Sequence, residues 1–565
     1  MKKLLSLLLA LIMVLSLFAG CRNEQTPPTE PAGTEPPQVV VPEPPVMDRE
    51  VANTDVKGFE KYLEYTLTQE DADKFYNDLD TLSDALLEGV DWASVEALEE
   101  KLDEYGYYMS AQNSIAYILM TWDESNEEYS KYYTDSTDIL ADAAAAYKKM
   151  AREVYQSDSK LKEQYFADWT EAEIRELLNF TDEVAELEKR NAQILVEYRA
   201  LDDATMTSDM IPLYRELVLN NNRIAQITGY DNYYDYAYEM RYSRDYEPEQ
   251  AQVVRDYVTE YIVPSFPGVM NKTITLLAEL NDDQMYVLSG LLLQKNFDEL
   301  SRNYVDKYIK SLPATAARGM QNMFLESRAI FADGKNANES AFTTMVDDGL
   351  FCYFGPGYQS SMTAVHELGH YYALDQFLEL NPDMNALSLD LAEVHSQGNE
   401  WLFTSYLDLY LDKKSHDALV YYRMYENLAG IIVQMCVDSF EEKVYTHPDI
   451  ENLTEEDFEA IMIEVCEDYG GIDYVEENIT DIQWYWRMVV LENPGYYISY
   501  AVSSIAALDI YFNSVQDYDA AVQTYCELVE GVDEEGGFLS NLQRVGLHGP
   551  FEPDVYIAIA ALAEE

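Results

Sequence analysis

The chain is predicted to be mainly α-helical, and three observations carry that reading. From about Val51 to Gly334 the apolar residues recur with a period near 3.6. Leu213, Leu217, Ile224 and Ile227 fall near one helical face, with Arg215, Glu216, Asn221 and Arg223 on others. The stretch Ile139 to Tyr147 is rich in alanine, a strong helix former small enough for close packing. Only one stretch departs from the pattern. Phe342 to Val346 and Leu350 to Phe354 are rich in β-branched and aromatic residues, and Asp347-Asp348-Gly349 lies between them, which predicts a β-hairpin.

Composition sets the outer limits. The 565 residues are too many for one ordinary domain. Hydrophobic residues at 48% and aromatics at 13% suffice for a large core and exclude a disordered chain. A net charge of −67 repels phosphate backbones, which argues against a nucleic-acid partner and leans toward cationic or neutral ligands. No period of 20–50 residues is apparent, so a repeat solenoid is not expected.

Taken in order, the elements begin with an address. Lys2 and Lys3 precede the apolar run Leu4 to Phe18, which reads as a secretory signal and is too short to span a bilayer comfortably. The run ends at Leu17-Phe18-Ala19-Gly20-Cys21, which resembles a bacterial lipobox. On that reading residues 1–20 are a signal peptide and Cys21 carries the lipid that tethers an extracytoplasmic protein to the membrane. The alternative is ordinary secretion with an incidental cysteine. Eight prolines between Arg22 and Met47 favour extended conformations, so residues 21–50 read as a tether, with folded sequence from near Val51. Gly229 and the Asn/Asp/Tyr cluster after it read as a helix stop and restart, and Pro264, Pro267 and Gly268 as a further break. Cys352, Cys436, Cys466 and Cys526 show no CxxC spacing and are expected to be buried as small apolar residues.

After the hairpin, Gly355-Pro356-Gly357 ends the strand and a helix carries His366-Glu367-Leu368-Gly369-His370. Residues four apart on a helix lie above one another, so both imidazoles can share one metal ion. Glu367 sits about 100° round, beside the metal, where its carboxylate can take a proton from water. A zinc hydrolase needs a third protein ligand and an open fourth position. Asn381-Pro382-Asp383 stops this helix, and another begins near Ser388 with Glu393 and His395 as rival ligands. They lie about 200° apart on that helix, so both cannot face one ion. Ser396 and Glu400 share the Glu393 face, either orienting ligands or simply solvated. His416, His447 and His548 have no evident partners and are expected to be structural or surface residues.

His-Glu-Leu-Gly-His followed by Ala392-Glu393-Val394-His395-Ser396-Gln397-Gly398-Asn399-Glu400-Trp401 resembles the thimet oligopeptidase and oligoendopeptidase F family of zinc metallopeptidases. Leu213 to Ala225, Gly229 to Tyr233, and Pro494-Gly495-Tyr496-Tyr497-Ile498-Ser499-Tyr500-Ala501 are similar to further stretches of that family. The resemblance favours Glu393 over His395. It implies a two-lobed, almost all-helical zincin-type fold with a deep channel, residues 51–340 forming a helical lobe and 341–565 the catalytic one. It implies one Zn2+ on His366, His370 and Glu393, Glu367 as general base, and Tyr500 with Tyr497 beside the oxyanion. Short peptides would be the substrates, cleaved internally as by an endopeptidase, with a carboxypeptidase mode as the alternative. Two positions depart from the family. Val489 and Val490 stand where a histidine usually supports the oxyanion, and Ala373 replaces a histidine after the metal motif. The competing expectation is a peptide-binding surface lipoprotein with weakened catalysis. A third keeps the metal site but gives it a non-peptide substrate.

Overall fold

The computed structural model describes residues 57–564 except 168, 200, 202–205, 293–296, 298, 348, 381–386, 480–481, 483–488 and 533–535. The expected signal peptide, Cys21 and the tether lie outside the described residues, as do Asp348 and the Asn381-Pro382-Asp383 helix stop. Helices make up most of the described residues, with one sheet of three strands.

Two hydrophobic cores organise the helices. Gln69–Glu88, Trp92–Trp122 and Glu127–Gln156 bury Phe75, Leu82, Leu102, Leu140, Ala143 and Val154 against one another. The alanine-rich run lies in the last of these, where Ala143, Ala144 and Ala151 let the helices approach. Local signals set their starts: Asp91 accepts from Ser94 N–H, and Asn126 from Glu128 and Tyr129 N–H. The main core runs from Leu63 to Ile559 and draws on both sides of the expected boundary at 340/341.

The long helix Trp92–Trp122 belongs to both cores. Its second half is buried almost all round, from Met109 to Leu119, as expected of a helix through the middle of a body. It backs the sheet. Tyr117 packs on Phe342 with ring centroids 5.1 Å apart, and Tyr353 donates to the Thr121 carbonyl.

The hairpin forms as read, with β2 Ala341–Val346 antiparallel to β3 Gly349–Phe354 and Thr343 opposite Cys352. A third strand, β1 Ala329–Phe331, runs parallel to β3 on its other side, giving the order β1-β3-β2. Three residues are too few for a period-two signal, so the sequence pattern does not reveal β1.

The restart at Gly229 is found, with φ 98° after the helix Met206–Thr228. The expected break at Pro264 and Pro267 is not. Pro248–Tyr257, a π turn Val258–Ile262 and Val263–Ala278 follow without interruption. Pro264 has no N–H to offer Glu260, and the wider π turn falls where that bond would be missing, so the chain continues helically. Gly268 serves packing instead: a Cβ there would meet the Ala563 carbonyl oxygen at 2.9 Å.

Candidate metal centre

The helix after β3, Ser361–Leu380, carries His366, Glu367 and His370. The helix Leu389–Tyr406, with Ser388 at its N-cap as expected, crosses against it and carries Glu393. Two devices set how the helices meet. Gly369 allows close approach, since a Cβ would meet the His395 carbonyl oxygen and the Ser396 Cα at 2.7 Å each. Asn399 donates to the Val365 carbonyl at 2.7 Å and accepts from Tyr308 at 2.6 Å, which fixes the register.

His366 Nε2, His370 Nε2 and Glu393 Oε2 converge. Their separations are 3.2 Å between the nitrogens, and 3.9 and 3.8 Å from the carboxylate oxygen. The point in their plane equidistant from all three lies about 2.1 Å from each, the length of a zinc bond to imidazole or carboxylate.

Protonation supports the same reading. His366 Nδ1 is 2.7 Å from Glu400 Oε1, and Arg423 pairs with the other Glu400 oxygen. Burial alone would raise the Glu400 carboxyl, but Arg423 and His366 outweigh it and hold it below the usual range. An ionised carboxylate only accepts, so His366 Nδ1 carries a proton, which leaves Nε2 as the nitrogen that can face a metal. Burial also drives the His370 imidazole well below its ordinary value, into the neutral form a metal requires. Two nitrogens and a buried carboxylate oxygen aimed at one point form a donor set that a divalent cation fits. His366 keeps 15% side-chain exposure while His370 and Glu393 keep 1%, so the site is approached past His366.

Glu367 turns the other way, toward β2. Thr343 donates to its Oε2 at 2.7 Å. Burial pushes its carboxyl up to about 7, against the opposing pull of His366 and the Thr343 hydrogen bond.

The Pro494–Tyr500 segment leads into the helix Tyr497–Gln516 beside Glu393. Tyr496 donates to Glu393 Oε1 at 3.2 Å, and Ser396 to Glu393 Oε2 at 3.3 Å. Tyr500 stacks edge-on against Tyr496 with centroids 4.9 Å apart, and Tyr497 lies 5.7 Å from Tyr500. All three rings are buried.

His395, the rival ligand, is fully buried away from this point, and burial pushes its imidazole down to about 3. The other histidines have local partners. His416 meets the Thr404 carbonyl, His447 accepts from Asp449 N–H, and His548 pairs with Asp509. Cys352, Cys436, Cys466 and Cys526 are buried and form no disulfide. Sequence reasoning left Glu400 open between two roles and missed Thr343, Arg423 and the contact of Tyr496 with Glu393. Glu400 is legible as i+7 from Glu393. Thr343 carries no signal separating it from Thr344, whose hydroxyl points instead at Ser114.

No protein-family model matches the chain, and no curated protein sequence matches it. Solved structures do. PZ peptidase A, solved with an inhibitor, superimposes with a TM-score of 0.70 at 16% identity, over 90% of this chain and 99% of that one. A Bacillus anthracis str. Ames protein described as an oligoendopeptidase F gives 0.67 at 16% identity, over 89% and 97%. Oligoendopeptidase-F from Enterococcus faecium gives 0.55 at 14%, over 88% and 96%. The chain therefore has the mainly helical fold of these proteins along almost its whole described length, the same group that its motifs resemble.

Proposed function

We propose that the chain is a zinc-dependent metallopeptidase that hydrolyses oligopeptides. The observation that carries this reading is the convergence of two imidazole nitrogens and one carboxylate oxygen at bonding distance from a single point. The fold shared with PZ peptidase A and oligoendopeptidase F supports a peptide as the substrate.

His366, His370 and Glu393 would hold the ion. Zinc bound there would lower the pKa of a water toward neutrality and polarise the scissile carbonyl. Glu367 accepts the proton from the attacking water at a carboxylate oxygen and returns it to the leaving amine. Burial raises this carboxyl, which makes it a better proton acceptor than an exposed carboxylate. Thr343 fixes the direction in which Glu367 points. Tyr500 and Tyr497 donate hydroxyl hydrogens to the oxygen on which negative charge develops, an interaction stronger in the transition state than in the bound substrate. Their support is the packing of Tyr500 on Tyr496, whose own hydroxyl reaches Glu393.

We assign the protein to the outer side of a membrane, tethered through Cys21, on the strength of the basic, apolar and cysteine-terminated segment 1–21. Among the described residues no helix is long and apolar enough to cross a membrane.

The test measures zinc content and cleavage of a fluorogenic peptide library for the wild type and Glu367→Gln. We expect one zinc per chain in both proteins. Peptide turnover by the wild type should fall by a factor on the order of 10² to 10⁴ in the variant. A zinc-loaded wild type that cleaves no peptide would overturn the assignment.

A further inference from the structure

We propose that Arg244 is a positioning residue for the tyrosine face: it ties the turn bearing Tyr496, Tyr497 and Tyr500 to the Glu393 helix and so sets the separation between the hydroxyl donors and the metal ligands. The proposal rests on the reading of this site as a peptidase centre.

Arg244 is delivered by a strained turn. Ser243 before it has φ 46°, a left-handed conformation uncommon for a residue with a side chain, and Arg244 N–H closes the turn on the Tyr238 carbonyl at 2.9 Å. The side chain is wholly buried, its guanidinium lying 4.5 Å from the Tyr238 ring centre and 4.7 Å from that of Tyr242. Arg244 Nη2 donates twice, to the Gly495 carbonyl at 2.8 Å and to Ser499 Oγ at 2.9 Å. Gly495 adjoins Tyr496, and Ser499 adjoins Tyr500. On its other side Arg244 Nε faces Asp390 Oδ2 at 3.9 Å, and Asp390 lies one helical turn before Glu393. One side chain thus spans from the metal-ligand helix to both ends of the tyrosine turn.

Two further groups grip the same turn. Glu441 accepts from Gly495 N–H at 2.9 Å, and Tyr242 donates to the Pro494 carbonyl at 2.8 Å. Gly495 itself has φ 79°, so the turn cannot be rebuilt easily around a larger residue. Three buried side chains from outside the segment therefore hold three consecutive backbone groups of a segment launching three tyrosines.

Stability alone does not account for the arrangement. Arg244 Nε and Nη1 and both Asp390 oxygens find no hydrogen-bond partner at good geometry within the described protein, the Tyr246 phenol being the polar group that approaches Asp390. A buried ion pair in which donors and acceptors are left over is a weaker filler than apolar side chains of the same volume. What the charged pair supplies is a fixed direction: a planar fork that can grip a carbonyl and a hydroxyl together.

The experiment compares Arg244→Met and Ser499→Ala, each in the wild type and in Tyr500→Phe. The readouts are steady-state peptide cleavage, zinc content, and hydrogen exchange of the 495–500 amides. We expect Arg244→Met to lower kcat by tenfold to a hundredfold, the order produced by misplacing a group by about an ångström, with KM nearly unchanged. Zinc content should stay at the wild-type level and exchange at 495–500 should speed up. In the Tyr500→Phe background the loss should shrink to about threefold or less, because both changes remove one interaction. Ser499→Ala should follow the same pattern with smaller effects, and it decides the matter if Arg244→Met does not fold. An equal loss with and without Tyr500, a loss of zinc, or unchanged exchange at 495–500 would each overturn the role. A wild type without peptide cleavage would instead sink the peptidase reading, while the exchange measurement still tests whether Arg244 holds the turn.

Discussion

Thr343 on β2 donates its hydroxyl to Glu367 Oε2 at 2.7 Å, so a strand holds the carboxylate that the His366 helix presents. The bond fixes one Glu367 oxygen and leaves the other for the proposed proton transfer. Thr343→Val keeps the shape and removes the donor. We expect kcat to fall by a factor on the order of ten to a hundred, with zinc content and KM unchanged. Thr343→Ser, which keeps the hydroxyl, should restore most of the rate. If the valine and serine variants lose activity equally, the loss comes from packing and the assigned role is wrong.

Glu400 would act on a bound metal through His366: its carboxylate holds a proton on His366 Nδ1, so that Nε2 is the nitrogen left for the ion, and Arg423 keeps that carboxylate ionised. Glu400→Ala should therefore weaken zinc binding by about 10–100-fold, as outer hydrogen-bond partners of metal ligands generally do. Competition with a chelator measures it. An unchanged zinc affinity would show that the imidazole needs no such partner.

Some of this centre could be read in the residues and some could not, for physical reasons. His366, Glu367 and His370 follow from helical spacing, because 3.6 residues per turn decide which side chains share a face, whereas the choice of Glu393 rests on the family resemblance. Within one helix the rule is strict, and it separates Glu393 from His395 without help from the fold, although not which of them faces the metal. The hairpin is legible for another local reason, since β-branched and aromatic residues cluster on either side of a turn sequence. Thr343, Arg423 and Arg244 belong to contacts between segments 23 to more than 200 residues apart. Such contacts have no period and leave no local signature. Pro264 misleads because a missing N–H breaks a helix only where the ladder cannot widen to absorb it, and Pro267 is carried within the helix that follows.

Gly369 is a point of very close contact between the two ligand helices. A methyl group there would collide with the backbone of the facing helix, at the His395 carbonyl oxygen and the Ser396 Cα, and backbone cannot swing away as a side-chain tip can. Gly369→Ala must push the Glu393 helix outward. We expect a loss of about 1–3 kcal/mol in stability from the overpacking, together with weaker zinc binding because Glu393 moves away from the histidine pair. Urea unfolding of the metal-free protein and zinc titration read the two effects separately. A variant with native stability and native zinc affinity would mean the helices are not in the close contact described.

Stability should depend on pH through His548. Its Nδ1 lies 3.2 Å from both oxygens of Asp509, and its N–H donates to the same carboxylate at 2.9 Å. Asp509 belongs to the tyrosine helix, so the pair pins the loop after Phe538–Val545 onto it. The hydrogen bond to Asp509, with the charges of Asp509, Asp554 and Glu552, raises the His548 imidazole above its ordinary 6.5. A pKa higher in the folded than in the unfolded state means the folded protein binds the proton more tightly. The contribution is therefore complete below the unfolded value of 6.5 and is lost as pH rises through the folded one. The imidazole is 44% exposed, so the effect is reduced by solvent screening. His548→Asn keeps a donor but cannot titrate. The gap in melting temperature between wild type and variant should be widest near about pH 5.5 and should narrow as pH rises past 6.5. A gap independent of pH across that range would show that the pair holds the loop as a neutral hydrogen bond rather than as an ion pair.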